Sequence, residues 1–274
     1  MMNNRIVPSS SVATKFIATA IAAFSIAACS SAPGRQASKL PRPLSVADYA
    51  AVLADPGRPA ADKNDDAARK PAEVLAFAKI RPGETILEME AGRGWYSEIL
   101  STAIGPKGKL IVQYPPQFSY GDSAYKARTD AGRLKNATIT VSAFDQLKAA
   151  DNSVDKVLWI LGPHELYYTP RNAPPGVLGD VKKTYAEIFR VLKPGAIFVA
   201  MDHAAAAGAP SSTGQTVHRI DPAIVLAAAK EAGFEYLDKS GVLANPSDDH
   251  SKMVFDASVR RHTDQFLFRF RKPK

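Results

Sequence analysis

Two places in this sequence put a histidine where it could act as an acid or a base. His164 and Glu165 follow the apolar run at residues 155–161, and His203 follows the apolar run at residues 196–201. A histidine can take up or release a proton near neutral pH, and a neighbouring carboxylate can orient it or the molecule on which it acts. We therefore predict His164, Glu165 and His203 as catalytic residues. The alternative is that the His-Glu pair is solvated in a surface loop.

A glycine-rich turn earlier in the chain could hold a ligand. Residues 86–95 read Ile-Leu-Glu-Met-Glu-Ala-Gly-Arg-Gly-Trp, between a predicted strand at residues 85–89 and a predicted helix at residues 95–104. Gly92 and Gly94 would let a ligand approach the backbone and the helix N-terminus. Such glycines are common in any α/β protein, but their position after the first strand favours a binding site.

The elements that must position these residues alternate between strand and helix. Apolar runs and turn residues predict strands at residues 85–89, 110–113, 138–142, 155–161, 196–201 and 266–271. They predict helices at residues 95–104, 125–134, 181–192 and 221–233. Strands separated by helices of about 10–15 residues imply a parallel sheet. A long connection, residues 240–262, joins two final strands and indicates a closing antiparallel hairpin.

The predicted fold class is therefore α/β. We expect a Rossmann-like, doubly wound sheet of seven strands, mostly parallel, with a C-terminal antiparallel strand and N-terminal helices. In such sheets ligands bind outside the carboxyl ends of the strands. His164, His203 and the glycine-rich turn all follow strands, so the prediction brings them to the same edge.

The N-terminus carries the pattern of an export signal. Basic Lys15 is followed by an apolar stretch at residues 16–28, which is too short to span a membrane. The stretch ends Ile-Ala-Ala before Cys29, the single cysteine of the chain, and resembles a bacterial lipobox. The resemblance implies lipidation at Cys29, and Ser30 favours the outer membrane over the inner. The alternative is a stray cysteine in an ordinary cleaved signal.

The sequence predicts three parts. Residues 1–28 are a lipoprotein signal peptide, residues 29–44 are a flexible tether rich in proline and small polar residues, and residues 45–274 are the folded domain. Residues 45–80 form an N-terminal helical segment of that domain. We expect an exported chain, lipid-anchored in the periplasm at the outer membrane.

Three stretches resemble class I, S-adenosylmethionine-dependent methyltransferases. Residues 86–95 resemble motif I of these enzymes. Residues 147–157 resemble the segment that leads into their fourth strand, and residues 187–195 resemble the turn before their fifth strand. Further stretches are similar to a bacterial family of predicted, often exported, methyltransferases; they are residues 69–77, 217–222 and 245–250 and the Asp264-Gln-Phe stretch. The similarity runs from about residue 45 to the C-terminus.

The resemblance implies S-adenosylmethionine as the cofactor and a set of residues that bind it. They are Glu88, Glu90, Gly92, Gly94, Gln113 and Asp145. Two of them depart from the family pattern. Glu90 stands where the family has a glycine, and a Cβ in a left-handed conformation costs about 1–2 kcal/mol. Gln113 stands where an acid usually holds the ribose hydroxyls.

The predicted function is methyl transfer to a small-molecule or envelope substrate. Catalysis of such an in-line displacement comes largely from holding donor and acceptor close and aligned. The alternative is a catalytically inactive lipoprotein with the same fold, serving as a binding or scaffold protein in the cell envelope. The Glu90 and Gln113 departures and the predicted export support that alternative.

Neither a nucleic acid nor a metal is expected as a partner. The formal net charge is +8, but acids and bases alternate along the chain and no aromatic-basic platform accompanies the C-terminal arginines. Asp248, Asp249 and His250 stand in one loop, which we interpret as solvated. His218 and Arg219 precede a predicted helix and are interpreted as packing or capping residues.

Overall fold

A computed structural model describes residues 41–274 of the chain. The predicted signal peptide, Cys29 and most of the predicted tether lie outside the described residues. Within residues 41–274, no helix is both long enough and apolar enough to cross a membrane.

A seven-stranded sheet forms the centre of the domain. Its strands are β1 Thr85–Met89, β2 Lys109–Tyr114, β3 Ala137–Val141, β4 Val154–Ile160, β5 Leu192–His203, β6 Glu235–Ser240 and β7 Gln265–Arg271. Their order in space is β3-β2-β1-β4-β5-β7-β6. Strands β1 to β5 pair in parallel, and β7 runs antiparallel to both β5 and β6. The predicted fold class is confirmed, with its mostly parallel sheet and antiparallel C-terminal strand.

Nine α-helices surround this sheet within the described residues. They are α1 Val46–Leu53, α2 Ala60–Lys63, α3 Asp66–Arg69, α4 Pro71–Phe77, α5 Trp95–Ile104, α6 Asp122–Asp130, α7 Val181–Val191, α8 Thr213–Val217 and α9 Pro222–Glu231. The first four form the N-terminal helical segment expected before the sheet. Helix α6 ends before the predicted residue 134, because the chain turns at Gly132, whose φ is +71°.

The central strands of the sheet are buried on both faces, as their continuous apolar sequences predict, whereas the edge strands β3 and β6 are largely exposed. Side chains alternate along β1: Ile86 packs into the core that includes α5, and Leu87 packs into the core that includes α7 and α9. The register aligns Met89 of β1 with Gln113 of β2 and Trp159 of β4. The carboxyl ends of the central strands therefore finish at nearly the same level, and the turns that follow them meet.

Candidate active site

A cavity of about 390 Å³ opens at the carboxyl ends of β1, β4 and β5. One wall is the β1–α5 turn, from Glu88 to Arg93, and the facing wall is the segment from Ile160 to Glu165. The N-terminal helical segment supplies a third wall. His203 and a loop containing Phe255 complete the lining. The cavity therefore lies where doubly wound sheets bind their ligands.

The two glycines of the β1–α5 turn have different surroundings. Gly92 has a φ of +56°, and a Cβ built on it would meet no described atom within 4 Å. Gly94 has a φ of +82°, and its Cβ would lie 2.9 Å from Cε1 of Tyr125 and 3.1 Å from Nε of Arg128. Gly92 lines the cavity and leaves room for a ligand, whereas Gly94 is required by the packing of α5 against α6.

Glu90 adopts the left-handed conformation expected at the position of a motif glycine, with φ +50°. Its Oε2 atom is buried and has no hydrogen-bond partner among the described residues. Burial, together with the carboxylates of Glu165 and Asp202, raises the pKa of Glu90 well above its ordinary value, against the opposing effects of the charge of His164 and of the neighbouring indole N–H of Trp159. A Cβ on Gly162 would collide with Glu90 Oε2 and with the indole of Trp159, so this glycine lets the Glu90 carboxyl fit beside β4.

Glu88, two residues before Glu90, also lines the cavity. Its side chain is buried and accepts a hydrogen bond from Ser97 Oγ at 2.6 Å. Burial outweighs that hydrogen bond and the nearby charge of Arg128, and it raises the pKa of Glu88 to about 8. Glu88 therefore presents a mostly neutral carboxyl group to the cavity at neutral pH.

Gln113 and Asp145 lie apart from the cavity lining. Gln113 is fully buried; its Nε2 donates to the Ser142 carbonyl at 2.5 Å, and its Oε1 accepts from the backbone N–H of Glu90 at 3.3 Å. Asp145 accepts from the backbone N–H of Asp180 at 3.1 Å. We expected both to contact a cofactor. In the structure their polar groups bind the backbone instead, and Gln113 supports the β1–α5 turn from behind.

The segment that follows β2 covers the turn from the other side. A Cβ on Gly121 would collide with the carbonyl oxygen of Gly92, so the two backbones lie in direct contact. Tyr125 donates to the Ala91 carbonyl at 3.0 Å, and Tyr120 lines the cavity. The side of the turn next to β2 is therefore occupied by the chain itself.

His164 and Glu165 are brought together with Asp202 and His218. His164 and Glu165 are only 4% and 8% exposed, so they do not form a solvated surface pair. His164 Nδ1 lies 2.8 Å from Asp202 Oδ1, and Asp202 Oδ2 accepts from the backbone N–H of His164 at 2.7 Å. On the other side of the ring, His164 Nε2 lies 3.2 Å from His218 Nδ1 and 3.3 Å from Glu165 Oε1.

The charges around this cluster shift its histidines in opposite directions. Burial lowers the pKa of His164, but the carboxylates of Asp202 and Glu165 together outweigh burial and raise it well above its ordinary value. Burial and the neighbouring His164 lower the pKa of His218. Burial, followed by the charges of His164 and Arg219, lowers the pKa of His203 well below its ordinary value.

Sequence reasoning placed His203 at this edge but left His218 out of the site. His203 lines the cavity and its Nδ1 lies 2.7 Å from Thr263 Oγ1, so it is held apart from the other histidines. His218 follows α8, whose Gly214 allows close packing: a Cβ there would lie 2.6 Å from the His164 carbonyl oxygen. That packing carries His218 to His164, and no local spacing in the sequence indicates it.

The interpretation of the Asp248–His250 loop as solvated is wrong for Asp248. Its carboxylate binds the guanidinium of Arg219 at 2.8 Å, and both side chains are buried. Asp249 is exposed, as expected. The buried ion pair fixes Arg219, and with it the position of His218 in the adjacent cluster.

Comparison with known proteins places this geometry in context. No family model matches the chain. The chain is 24% identical over 201 residues to the arsenite methyltransferase of Halobacterium salinarum, covering 70% of this chain and 46% of that protein. It is 22% identical over 196 residues to the ubiquinone/menaquinone biosynthesis C-methyltransferase UbiE of Hydrogenovibrio crunogenus, covering 70% and 65%. The chain thus spans about half to two thirds of the length of these relatives.

Solved structures share the fold at low sequence identity. A SAM-dependent methyltransferase from Aquifex aeolicus has a TM-score of 0.54 and 21% identity, over 82% of this chain and 98% of that one. The [4+2]-cyclase SpnF has a TM-score of 0.53 and 16% identity, over 76% and 80%. These comparisons confirm the resemblance inferred from the sequence: the chain has the fold of the class I S-adenosylmethionine-dependent methyltransferases.

Proposed function

We propose that the chain is an S-adenosylmethionine-dependent methyltransferase that acts on a small molecule. One observation carries the proposal: a single cavity at the carboxyl edge joins the open Gly92 turn to the His164–Glu165 cluster. Such an arrangement provides separate places for a donor and an acceptor. The names of the sequence relatives, both methyltransferases, support this reaction class.

The residues of the β1–α5 wall suit the methionine end of the cofactor. S-adenosylmethionine carries a cationic amino group, a sulfonium and a carboxylate. The unpartnered Glu90 Oε2 is a buried acceptor that an amino group could satisfy, and Arg69 and Arg93 line the same cavity as partners for a carboxylate. At Gly92 the backbone is open to the cavity, as a bound ligand requires.

When bound, the cofactor supplies an electrophilic methyl group, and the protein supplies alignment. The N-terminal helices are fixed over the turn, because Trp95 Nε1 donates to the Asp62 carbonyl at 2.8 Å and Arg128 pairs with the Asp62 carboxylate at 2.7 Å. This closure excludes water from one side of the cavity and restricts the donor. In this proposal His164, Glu165 and His203 face the acceptor.

Isothermal titration of the purified protein with S-adenosylmethionine, and separately with its demethylated product, tests the proposal. We expect one binding event per chain for each ligand. Adenosine, which lacks the methionine part, should bind more weakly, because the fitting residues lie at the amino-acid end. If millimolar S-adenosylmethionine neither releases heat nor raises the melting temperature, the binding or scaffold alternative replaces the enzyme.

We further propose that the chain is exported and lipid-anchored at Cys29, in the periplasm and at the outer membrane. The apolar stretch at residues 16–28 followed by the single cysteine supports this location. An enzyme in that position would meet small molecules and components of the cell envelope as acceptors.

A further inference from the structure

We propose that His164, Glu165 and His218 bind one divalent transition-metal ion, with an open coordination position toward the cavity. The three side chains offer His164 Nε2, His218 Nδ1 and Glu165 Oε1, and these atoms all lie within 4.8 Å of one another. They come from two separate segments, the turn after β4 and the end of α8. The sequence predicted no metal because its only apparent cluster was the Asp248–His250 loop.

The distances between the three atoms fit coordination to one ion. His164 Nε2 lies 3.2 Å from His218 Nδ1 and 3.3 Å from Glu165 Oε1, and His218 Nδ1 lies 4.0 Å from Glu165 Oε1. Ligands at about 2.0–2.1 Å from a tetrahedral Zn²⁺ stand about 3.3 Å apart. Two of the three distances already have that length, and the third, 4.0 Å between His218 Nδ1 and Glu165 Oε1, would have to shorten by about 0.7 Å.

Asp202 holds His164 in the orientation that a ligand needs. Its Oδ1 lies 2.8 Å from His164 Nδ1, so Nδ1 can donate its proton to this carboxylate, and a metal ion would bind at Nε2 in place of the Nε2 proton. A carboxylate behind a histidine is the usual outer partner of metal-ligating imidazoles. Asp202 is itself fixed, because its Oδ2 accepts from the backbone N–H of His164.

A further observation points to a ligand at this place. Glu165 Oε2 is buried without a hydrogen-bond partner in the described part of the chain, although a carboxylate so placed is costly. His218 ends helix α8 in the left-handed conformation, with φ +54°, and its ring lies beside that of His164.

The ligand set selects the class of metal. Two imidazole nitrogens and one carboxylate suit Zn²⁺ or Fe²⁺, whereas Mg²⁺ and Ca²⁺ prefer oxygen ligands. Three protein ligands leave at least one position open, as catalytic sites do. His164 and Glu165 line the cavity, so that position faces the space assigned to the acceptor.

The role of the ion rests on the proposed function. A hydroxyl or thiol of the acceptor on the open position would lose its proton to solvent water more readily, and the resulting oxygen or sulfur anion would be held in place by the ion. With the ion bound, His164 Nε2 is a ligand and not a base. The competing explanation is a metal-free hydrogen-bonded cluster, in which the proton on His164 Nε2 is shared between His218 and Glu165.

Titration of the chelator-treated protein with Co²⁺, followed by its visible absorption and by displacement with Zn²⁺, tests the site. We expect one equivalent of Co²⁺ and an intense spectrum of low coordination number. Glu165→Gln keeps the shape of the side chain and removes one anionic ligand, and His218→Ala removes a nitrogen ligand. Asp202→Asn should weaken binding by about 10–100-fold, as loss of an outer partner does, and the two ligand variants should weaken it at least as much.

His262→Ala is the matched control, because His262 is exposed and belongs to neither the cluster nor the cavity lining. It should bind Co²⁺ like the unmodified chain. Thermal unfolding of the metal-free variants shows which of them are folded. If His218→Ala does not fold, Glu165→Gln alone provides the test of the ligand set. Absence of Co²⁺ and Zn²⁺ binding, or equal binding by folded Glu165→Gln, overturns the site. S-adenosylmethionine binding to the metal-free protein is measured separately, so its loss would count against the proposed function alone.

Discussion

A methyl group at Gly92 should weaken cofactor binding at a small and known structural cost. Gly92 has a φ of +56°, and its Cβ would meet no atom within 4 Å in the described structure. Gly92→Ala therefore costs the folded protein only the left-handed conformation of an alanine, about 1–2 kcal/mol. The same methyl group protrudes at the cavity wall where the cofactor would approach the backbone.

Gly83→Ala is a matched control for that conformational cost. Gly83 has a φ of +85°, its Cβ would also stand in open space, and it precedes β1 at the opposite end of the strand. Both variants should lose similar stability, and only Gly92→Ala should lose ligand affinity. Gly94→Ala is unsuitable for this comparison, since its Cβ would press on Tyr125 and would disturb packing and site together.

Thermal unfolding with and without S-adenosylmethionine measures the difference. A ligand at a hundredfold excess over its Kd stabilises the folded state by about 2.7 kcal/mol. For a domain of this size, 1 kcal/mol raises the melting temperature by about 2–4 °C. The unmodified chain and Gly83→Ala should thus gain about 5–11 °C, whereas Gly92→Ala should gain much less. An equal gain in Gly92→Ala would refute the assignment of the cofactor to this turn.

Three further predictions concern single residues. Glu88 keeps its proton up to about pH 8 in the folded protein but releases it near pH 4.5 when unfolded, so the free energy of unfolding should fall as pH rises between these values. Denaturant titrations at several pH values should show that Glu88→Gln lacks this fall. The same pH dependence in Glu88→Gln and in the unmodified chain would contradict the assignment. Asp248→Ala leaves buried Arg219 unpaired and should lower the free energy of unfolding by about 3–5 kcal/mol, whereas a substitution at exposed Asp249, Asp249→Ala, should change it by at most about 0.5 kcal/mol. Equal unfolding midpoints of the two variants would count against the buried ion pair. Cys29→Ala should release the mature chain from membranes or block its processing, and an unchanged membrane fraction and mobility would argue against lipidation.

The parts of the fold that depend on local chemistry could be predicted from the sequence. Strand β1 and helix α5 have the predicted bounds, because Pro82-Gly83 ends the preceding turn and Gly105-Pro106 stops the helix. Glu90 takes the left-handed conformation that the motif position requires. In each case the determining residues lie within a few positions along the chain.

The parts that depend on distant contacts could not be predicted in the same way. His218 reaches His164 across 54 positions of sequence, through the packing of α8 on the turn after β4. Gln113 is withdrawn from the cavity because the Ser142 carbonyl, beyond the end of β3, accepts its amide proton. Neither the contact of His218 with His164 nor that of Gln113 with Ser142 is indicated by spacing or periodicity in the sequence. The residues of the candidate site could therefore be identified only from the three-dimensional fold.

The fold alone does not decide the reaction, since a methyltransferase and a [4+2]-cyclase both share it. The cavity is more informative, because it concentrates features that destabilise the protein. Glu90, Leu161 and His218 all adopt positive φ around it, and each such conformation costs about 1–2 kcal/mol.

Glu90 Oε2 and Glu165 Oε2 are buried carboxylate oxygens that have no hydrogen-bond partner among the described residues. Strained backbone conformations and buried polar atoms without hydrogen bonds are expected at functional sites. One of these oxygens lies at the turn assigned to the cationic end of the cofactor and the other in the histidine cluster. In the two proposed sites, ligands of positive charge beside Glu90 and in the histidine cluster would offset these costs.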